Sequence, residues 1–182
     1  MGIFNKSKKI MSVKENEKTL HRNLKFTATE QYKLLRANLS FTLPEDCECA
    51  IIGVTSAMRG EGKSTTAVNL SYVLAESGKR VLLIDGDMRL PSIARKMKLS
   101  NSPGLTDLLK GEETIQMGIF KSRQLNNWYI MPAGDLPPNP SELLGSKRMA
   151  TPPIMVCQNS QNRLLPLTQR QKQAMNTTRV LL

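Results

Sequence analysis

Residues 56–65 read Ser-Ala-Met-Arg-Gly-Glu-Gly-Lys-Ser-Thr, set between an apolar run and a stretch with helical periodicity. No other feature restricts the fold of this chain so tightly. A phosphate-binding loop asks for Gly, four residues, then Gly-Lys-Ser/Thr. Here Gly62-Lys63-Ser64 is intact, and Ala57 stands where the first Gly would be. Gly60 and Gly62 carry no Cβ, so backbone N–H groups there can turn inward toward phosphate oxygens. The helix that follows aims its N-terminus at the same point, adding donors and the positive end of its dipole. Met58, Arg59, Gly60, Glu61, Gly62, Lys63, Ser64 and Thr65 are therefore the candidate nucleotide-binding residues. Lys63 would reach the β- and γ-phosphates, and the Ser64 hydroxyl would ligate Mg²⁺. A Gly-rich loop can precede a helix without binding anything, but a strand before and a helix after favour a nucleotide.

The flanking patterns set the class. Ala50-Ile51-Ile52-Gly53-Val54 is a short apolar run bounded by turn residues, which predicts a buried strand. Ser64 to Ser77 predicts a helix, with Ala67, Leu70 and Leu74 on one stripe and Gly78 at its C-terminal cap. Val81-Leu82-Leu83-Ile84 predicts the next strand. Strand, crossover helix and strand in succession form a βαβ unit, so the body is α/β with a mainly parallel sheet. Upstream, Thr27 to about Ser40 reads as a helix capped by Thr27 or Thr29, with Tyr32, Leu35 and Leu39 at helical spacing. Downstream, Gly104–Leu109 suggests a short helix ending at Gly111, and Trp128–Met131 another strand. A Pro-rich loop over 132–140 leads to a helix capped by Ser141 and running to about Met149.

The strand at 81–84 ends in Asp85-Gly86-Asp87-Met88-Arg89. Two residues apart in extended chain, Asp85 and Asp87 project to the same side. Close carboxylates repel unless a cation or a shared proton compensates them. At the carboxyl end of a parallel strand, beside a phosphate loop, the fitting cation is Mg²⁺. One Asp could hold a metal-bound water while the other orients or deprotonates an attacking hydroxyl. An acidic turn at a strand end is common for a lone Asp, less so for a pair one crossover after a phosphate loop.

The net charge of +11 raises the question of nucleic acid, and its distribution answers it. Residues 1–25 carry seven basic and two acidic residues, for +5. Residues 26–150 carry fifteen and thirteen, for only +2, and residues 151–182 carry four basic residues and no acid. The excess sits in the tails, and the body shows no basic helix face interleaved with aromatics. A solvated arm, or one near an anionic membrane surface, explains the N-terminal charge better than a groove reader. A nucleic-acid partner is not expected. Three cysteines, Cys47, Cys49 and Cys157, are too few for a disulfide scaffold, and His21 is the sole histidine, so zinc is not expected either. Apolar residues at 40% suffice for a core, which must rest on aliphatics because aromatics supply 4%. No stretch approaches the ~18 consecutive apolar residues of a membrane-spanning helix. The N-terminus has basic residues but no apolar h-region, which argues against a signal peptide. Lys6 stands where a myristoylation signal asks for Ser or Thr.

These motifs, in this order, resemble the bacterial tyrosine kinases (BY-kinases) of capsular and exopolysaccharide biosynthesis, relatives of the MinD/ParA ATPases. In that family an apolar strand ending in Asp-x-Asp-x-Arg follows the phosphate loop, and Leu82 to Arg89 matches it. The family's upstream helix carries Glu-x-x-Arg-x-x-Arg for ring assembly; here Glu30, Lys33 and Arg36 occupy those places. The similarity covers about residues 27 to 149. It implies a three-layer P-loop NTPase fold and an ATP- and Mg²⁺-dependent, autophosphorylating protein-tyrosine kinase. Lys63, Asp85 and Asp87 would be catalytic, and Ser64, Asp85 and Asp87 would hold the metal. It also implies a membrane-embedded polysaccharide copolymerase as activator, a ring-shaped homo-oligomer, and a cytoplasmic place on the inner face of the membrane through that partner.

Departures from the family pattern sharpen the expectation. Partition-type ATPases carry a signature Lys at the place of Met58, and its absence favours the kinase branch. BY-kinases usually have Pro where Arg59 stands, and Lys33 replaces an Arg, which weakens bidentate carboxylate contacts in a ring interface. The family's third motif, an apolar strand ending in Asp-x-Pro-Pro, is lost: Ala150 runs directly into Thr151-Pro152-Pro153, with neither strand nor Asp before it. The C-terminal tyrosine cluster is absent too, the last tyrosine being Tyr129. An altered gene, by deletion and frameshift, accounts for this better than divergence. The expected organisation is a flexible basic arm over 1–26, a partial P-loop kinase domain over 27–150, and an aberrant, poorly ordered tail over 151–182. A missing central strand would leave the sheet incomplete at its C-terminal end, and loss of the third Asp would impair turnover. The alternatives are a MinD/ParA-like ATPase without a protein substrate and a non-catalytic nucleotide-binding remnant.

Overall fold

The structure, a computed structural model, describes residues 24–43, 49–112, 117–150 and 177–181. Its strands are Cys49–Gly53 (β1), Arg80–Ile84 (β2), Phe120–Lys121 (β3), Trp128–Met131 (β4) and Thr177–Leu181 (β5). They form one sheet in the order β1-β5-β2-β4-β3. Every neighbouring pair is parallel except β3 with β4, which is antiparallel at the edge. The helices are Phe26–Thr42 (α1), Lys63–Glu76 (α2), Ile93–Met97 (α3), Leu105–Lys110 (α4), Pro140–Leu144 (α5) and Lys147–Ala150 (α6). None of them is long and apolar enough to cross a membrane.

Strand periodicity divides the core into two layers. Along β2, Val81 and Leu83 join one apolar cluster while Leu82 and Ile84 join the other. On β4, Trp128 and Ile130 face the first layer and Met131 the second. The first layer is closed by α2, whose Ala67, Val68, Leu70, Val73, Leu74 and Ala75 are all buried, and by Ile93 and Met97 of α3. Leu105 and Leu109 of α4 fill the second, with Leu143 and Met149 packed against it. Helices on both faces of a largely parallel sheet give the three-layer α/β arrangement that the sequence predicts.

Helix α1 lies outside α2. Tyr32 and Leu39 pack on the first layer as expected, but Leu35 and its neighbour Leu34 are exposed, and the helix has no fully buried residue. Its start is preceded by Lys25 with no side-chain cap, rather than by Thr27 or Thr29. What ties it down is Arg36, whose Nη1 donates to the Val73 carbonyl at 2.9 Å.

The order of the sheet corrects one expectation. β1 and β2 are not neighbours, because Thr177–Leu181 runs between them, parallel to both. The central slot that loss of the third motif would empty is filled by a segment of different sequence. Backbone N–H and C=O groups on both flanking strands need partners, and any extended segment can supply them. Thr177, Thr178 and Val180 are β-branched, which suits a strand. The arm over 1–23 and residues 151–176 of the tail lie outside the described residues.

Two more differences are local. The helix expected from Ser141 to Met149 is two short helices, parted at Gly145 and Ser146. Its N-cap is Asn139 rather than Ser141, and Pro140 suits the first turn because it lacks only an N–H that would go unpaired anyway. Helix α3 and the edge strand β3 were not expected. Helix α4 sits directly beneath the loop after β4: Leu105 N–H donates to Pro132 O and Thr106 N–H to Ala133 O, each at 2.8 Å. A Cβ on Gly104 would collide with the backbone of Gly134 and Pro132, so only glycine permits this approach.

Trp128, the sole tryptophan, is fully buried, donates from Nε1 to Ser71 Oγ at 3.1 Å, and meets Tyr72 edge-on at 5.5 Å. Its fluorescence therefore reports the first core layer. Leu83→Ala opens a cavity beside it and is expected to lower stability by about 2–5 kcal/mol. Urea unfolding followed at Trp128 checks this, and an unchanged midpoint would contradict the packing described.

Candidate nucleotide site

The loop after β1 is shaped by two glycines in left-handed conformation, Gly60 at φ 88° and Gly62 at φ 95°. Nothing lies within 4 Å of where a Cβ would project at either, so it is backbone conformation, not crowding, that selects glycine here. Gly62 is the N-cap of α2 and offers no side chain to its first turn. The first helical bond runs from Thr66 N–H to Gly62 O at 2.8 Å. The N–H groups of Lys63, Ser64 and Thr65 thus precede the helical ladder, the position at which helices receive anions. Met58, Arg59, Gly60 and Glu61 are exposed on the loop, while Gly62 through Thr65 are half-buried.

Glu61 closes the loop on itself. Its Oε2 accepts from Met58 N–H at 3.0 Å, while Ser56 Oγ donates to Met58 O at 2.9 Å. The Met58 N–H, then the Ser56 hydroxyl, and more weakly the nearby Lys63 charge, hold the Glu61 carboxyl below its ordinary value.

The acidic pair is arranged differently from the extended-chain expectation. β2 stops at Ile84, and both carboxylates lie past it, each closing a turn. Asp85 is almost wholly buried. Its Oδ1 accepts from Asp87 N–H at 3.1 Å, and its Oδ2 accepts from Ser92 N–H at 3.1 Å and Ile93 N–H at 3.0 Å. Asp87 is half-buried, and its Oδ1 accepts from Leu90 N–H at 2.9 Å and Arg89 N–H at 3.3 Å. Burial pushes the Asp85 carboxyl above its ordinary value, with the Asp87 charge adding to it; the three N–H bonds oppose the shift without cancelling it.

The start of α3 joins the two motifs. Ser92 Oγ donates to Ser64 Oγ at 2.7 Å, and Lys96 Nζ reaches Thr65 Oγ1 at 3.4 Å. Ser64, Thr65, Asp85 and Asp87 therefore converge on one end of the sheet. Sequence reasoning missed Ser92 and Lys96. Pro91-Ser92 was a legible helix start, but nothing in the sequence tells that its hydroxyl would cross to another helix.

Glu30, Lys33 and Arg36 lie apart from this site. Lys33 Nζ pairs with Glu30 Oε1 at 3.0 Å within α1, and Arg36 is turned onto α2.

The donor set around Ser64 is all oxygen, which suits a hard divalent cation. A carboxylate offers about four lone-pair sites. The three N–H bonds to Asp85 leave roughly one for a cation or its water. Among the described residues, no three His, Cys, Asp or Glu side chains form a closed metal cage.

A glycine loop at a helix N-terminus, with acids just past the end of β2 in a three-layer α/β fold, defines a P-loop nucleotide-binding protein. Comparison with known proteins narrows the class. The AAA domain family matches residues 49–152, and the chain belongs to that family. Its relatives are bacterial tyrosine kinases. The chain is 41% identical over 121 residues to tyrosine-protein kinase YwqD of Bacillus subtilis, covering 66% of this chain and 50% of the relative. It is 35% identical over 132 residues to the Staphylococcus aureus protein named as tyrosine-protein kinase CapB, covering 72% and 57%. Thus the chain spans about half the length of these relatives. Among solved structures, the CapA2B2 chimera superposes with a TM-score of 0.67 at 28% identity, covering 94% of this chain and 69% of that one. The kinase domain of the Escherichia coli tyrosine kinase ETK superposes with a TM-score of 0.65 at 27% identity, covering 87% and 59%.

A carboxyl raised by folding binds its proton more tightly in the native state than in the unfolded chain. Stability of the metal-free protein therefore falls as pH rises from the ordinary carboxylate value through the raised one, and this loss persists above it. Asp85→Asn is expected to flatten that slope. Urea midpoints of both proteins across the acidic range check this; the slope is the readout, because the substitution also disturbs the N–H bonds to Asp85. An unchanged slope would show that Asp85 is not the group responsible.

Proposed function

We propose that this chain is the catalytic P-loop domain of an autophosphorylating protein-tyrosine kinase that regulates capsular or exopolysaccharide synthesis, with ATP as phosphoryl donor and Mg²⁺ as its cation. The observation that carries this is the Ser92 bridge: it brings the phosphate-loop hydroxyl of Ser64 and the buried Asp85 carboxylate to one point. Kinship to tyrosine kinases supplies the reaction class.

In this proposal the loop from Met58 to Thr65 cradles the phosphates, with the N–H groups of Lys63, Ser64 and Thr65 facing their oxygens. Lys63 spreads its charge over the transferring group. Ser64, Asp85 and Asp87 would hold Mg²⁺, which would supply positive charge to neutralise the phosphates. A tyrosine oxygen attacks the γ-phosphorus, the bond to the bridging oxygen breaks, and ADP leaves. Asp87, the less buried acid, would accept the tyrosine proton.

Three further elements belong to the same proposal. A membrane-embedded polysaccharide copolymerase activates the domain through its cytoplasmic segment and draws it to the inner face of the membrane. Copies assemble as a ring through α1, where Glu30, Lys33 and Arg36 lie. The central slot is filled by β5, but residues 151–182 hold no Asp or Glu. Leu181, the last residue of that strand, pairs with Ile84. Turnover is therefore slower than in relatives with a third acid at this place.

Incubating the protein with labelled ATP, Mg²⁺ and the activator's cytoplasmic segment tests the reading. Tyrosine labelling is expected, and Lys63→Ala should reduce it by about 100-fold or more. Phosphate release without labelled tyrosine would instead mark a MinD/ParA-like ATPase. Nucleotide binding with neither outcome would mark a non-catalytic remnant.

A further inference from the structure

We propose that Ser92 is a positioning residue for the cation site: it fixes the Ser64 hydroxyl as a metal ligand and ties it to Asp85. This rests on the nucleotide-and-Mg²⁺ reading above and goes beyond it by assigning a residue outside both motifs.

A serine at a helix N-cap ordinarily turns its hydroxyl onto the N–H groups of its own first turn. Ser92 is the N-cap of α3, yet it makes no side-chain cap bond. Its hydroxyl instead crosses to α2 and donates to Ser64 Oγ at 2.7 Å, a short and favourable O–H···O distance. The N–H of the same residue donates to Asp85 Oδ2 at 3.1 Å. One residue therefore grips both the hydroxyl and the carboxylate that the cation would share.

The chemistry of a hydroxyl explains the use of this bond. Ser64 Oγ has two lone pairs and one proton. Accepting from Ser92 engages one lone pair, selects a single rotamer, and leaves the other lone pair for a cation. The platform is firm. Ile93 and Met97 are fully buried, and the Ile93 N–H also donates to Asp85 Oδ2, at 3.0 Å. Ser92→Ala removes the hydroxyl while keeping the N–H that Asp85 accepts, so α3 and the turn are retained.

The test uses the full chain and calorimetric titration with ADP, with and without Mg²⁺. Manganese binding in the presence of ADP, read by electron paramagnetic resonance, gives a second readout. Wild type should bind ADP more tightly with Mg²⁺. Ser92→Ala should leave metal-free ADP affinity and the thermal midpoint unchanged, yet weaken Mn²⁺ binding and the Mg²⁺-dependent gain by about 10-fold. Ser92→Thr, which keeps a hydroxyl, should restore both. If wild type takes up no ADP, or shows no response to Mg²⁺, the nucleotide-site reading itself fails. If wild type responds and Ser92→Ala responds equally, only the role of Ser92 is overturned. Loss of metal-free affinity or of the thermal midpoint in Ser92→Ala, or failure of Ser92→Thr to rescue, would mark a purely structural residue and overturn the proposal as well.

Discussion

A buried carboxylate receiving three backbone N–H groups is the constraint on which the site depends. Asp85 stands where β2 ends, and its partners come from the turn at Asp87 and from the first residues of α3. An ion in that position is costly unless hydrogen-bonded, so the chain after β2 must fold back over it. The fold-back brings α3 against the start of α2, where Ser92 meets Ser64 and Lys96 meets Thr65. The phosphate loop, the acidic strand end and a short helix become one unit through the Asp85 carboxylate and the side chains of Ser92 and Lys96. Much of the charge carried by Asp85 remains uncompensated, which is why its carboxyl is raised rather than lowered.

The sheet separates two demands that a strand can serve at once. One is backbone pairing, which β5 meets by bonding to β1 on one side and β2 on the other. The other is chemistry at the strand's carboxyl end, which depends on the residue there. Pairing is nearly indifferent to sequence, so a Thr- and Val-containing segment can occupy the slot. It brings no acid, because residues 151–182 hold none. An intact sheet is therefore compatible with a central strand that carries no acid.

In helix α1 a side chain expected to serve assembly serves packing. Arg36 was singled out for a place in ring formation, and in this fold it holds α1 onto α2 through the Val73 carbonyl. That carbonyl also accepts from Ser77 N–H at 3.2 Å, and its second lone pair takes the guanidinium. Since α1 has no fully buried residue and leaves Leu34 and Leu35 exposed, that bond fixes its orientation as much as its apolar contacts do.

The phosphate loop, β1, α2, β2 and β4 were legible in the sequence, because each rests on local rules. Glycines at 60 and 62 fix a turn, Ala67, Leu70 and Leu74 mark one helix face, and short aliphatic runs mark buried strands. The acids at 85 and 87 were legible as a pair, but not their geometry, because they leave the strand and each binds a turn. What only tertiary structure decided was pairing at a distance. That β5 lies between β1 and β2 depends on backbone groups that every sequence carries alike. That Ser92 turns away from its own helix depends on where α2 begins, nearly thirty residues earlier. Local periodicity encodes which residues seek burial, whereas the identity of the neighbour that satisfies a distant hydroxyl or strand edge is fixed only once the layers have packed.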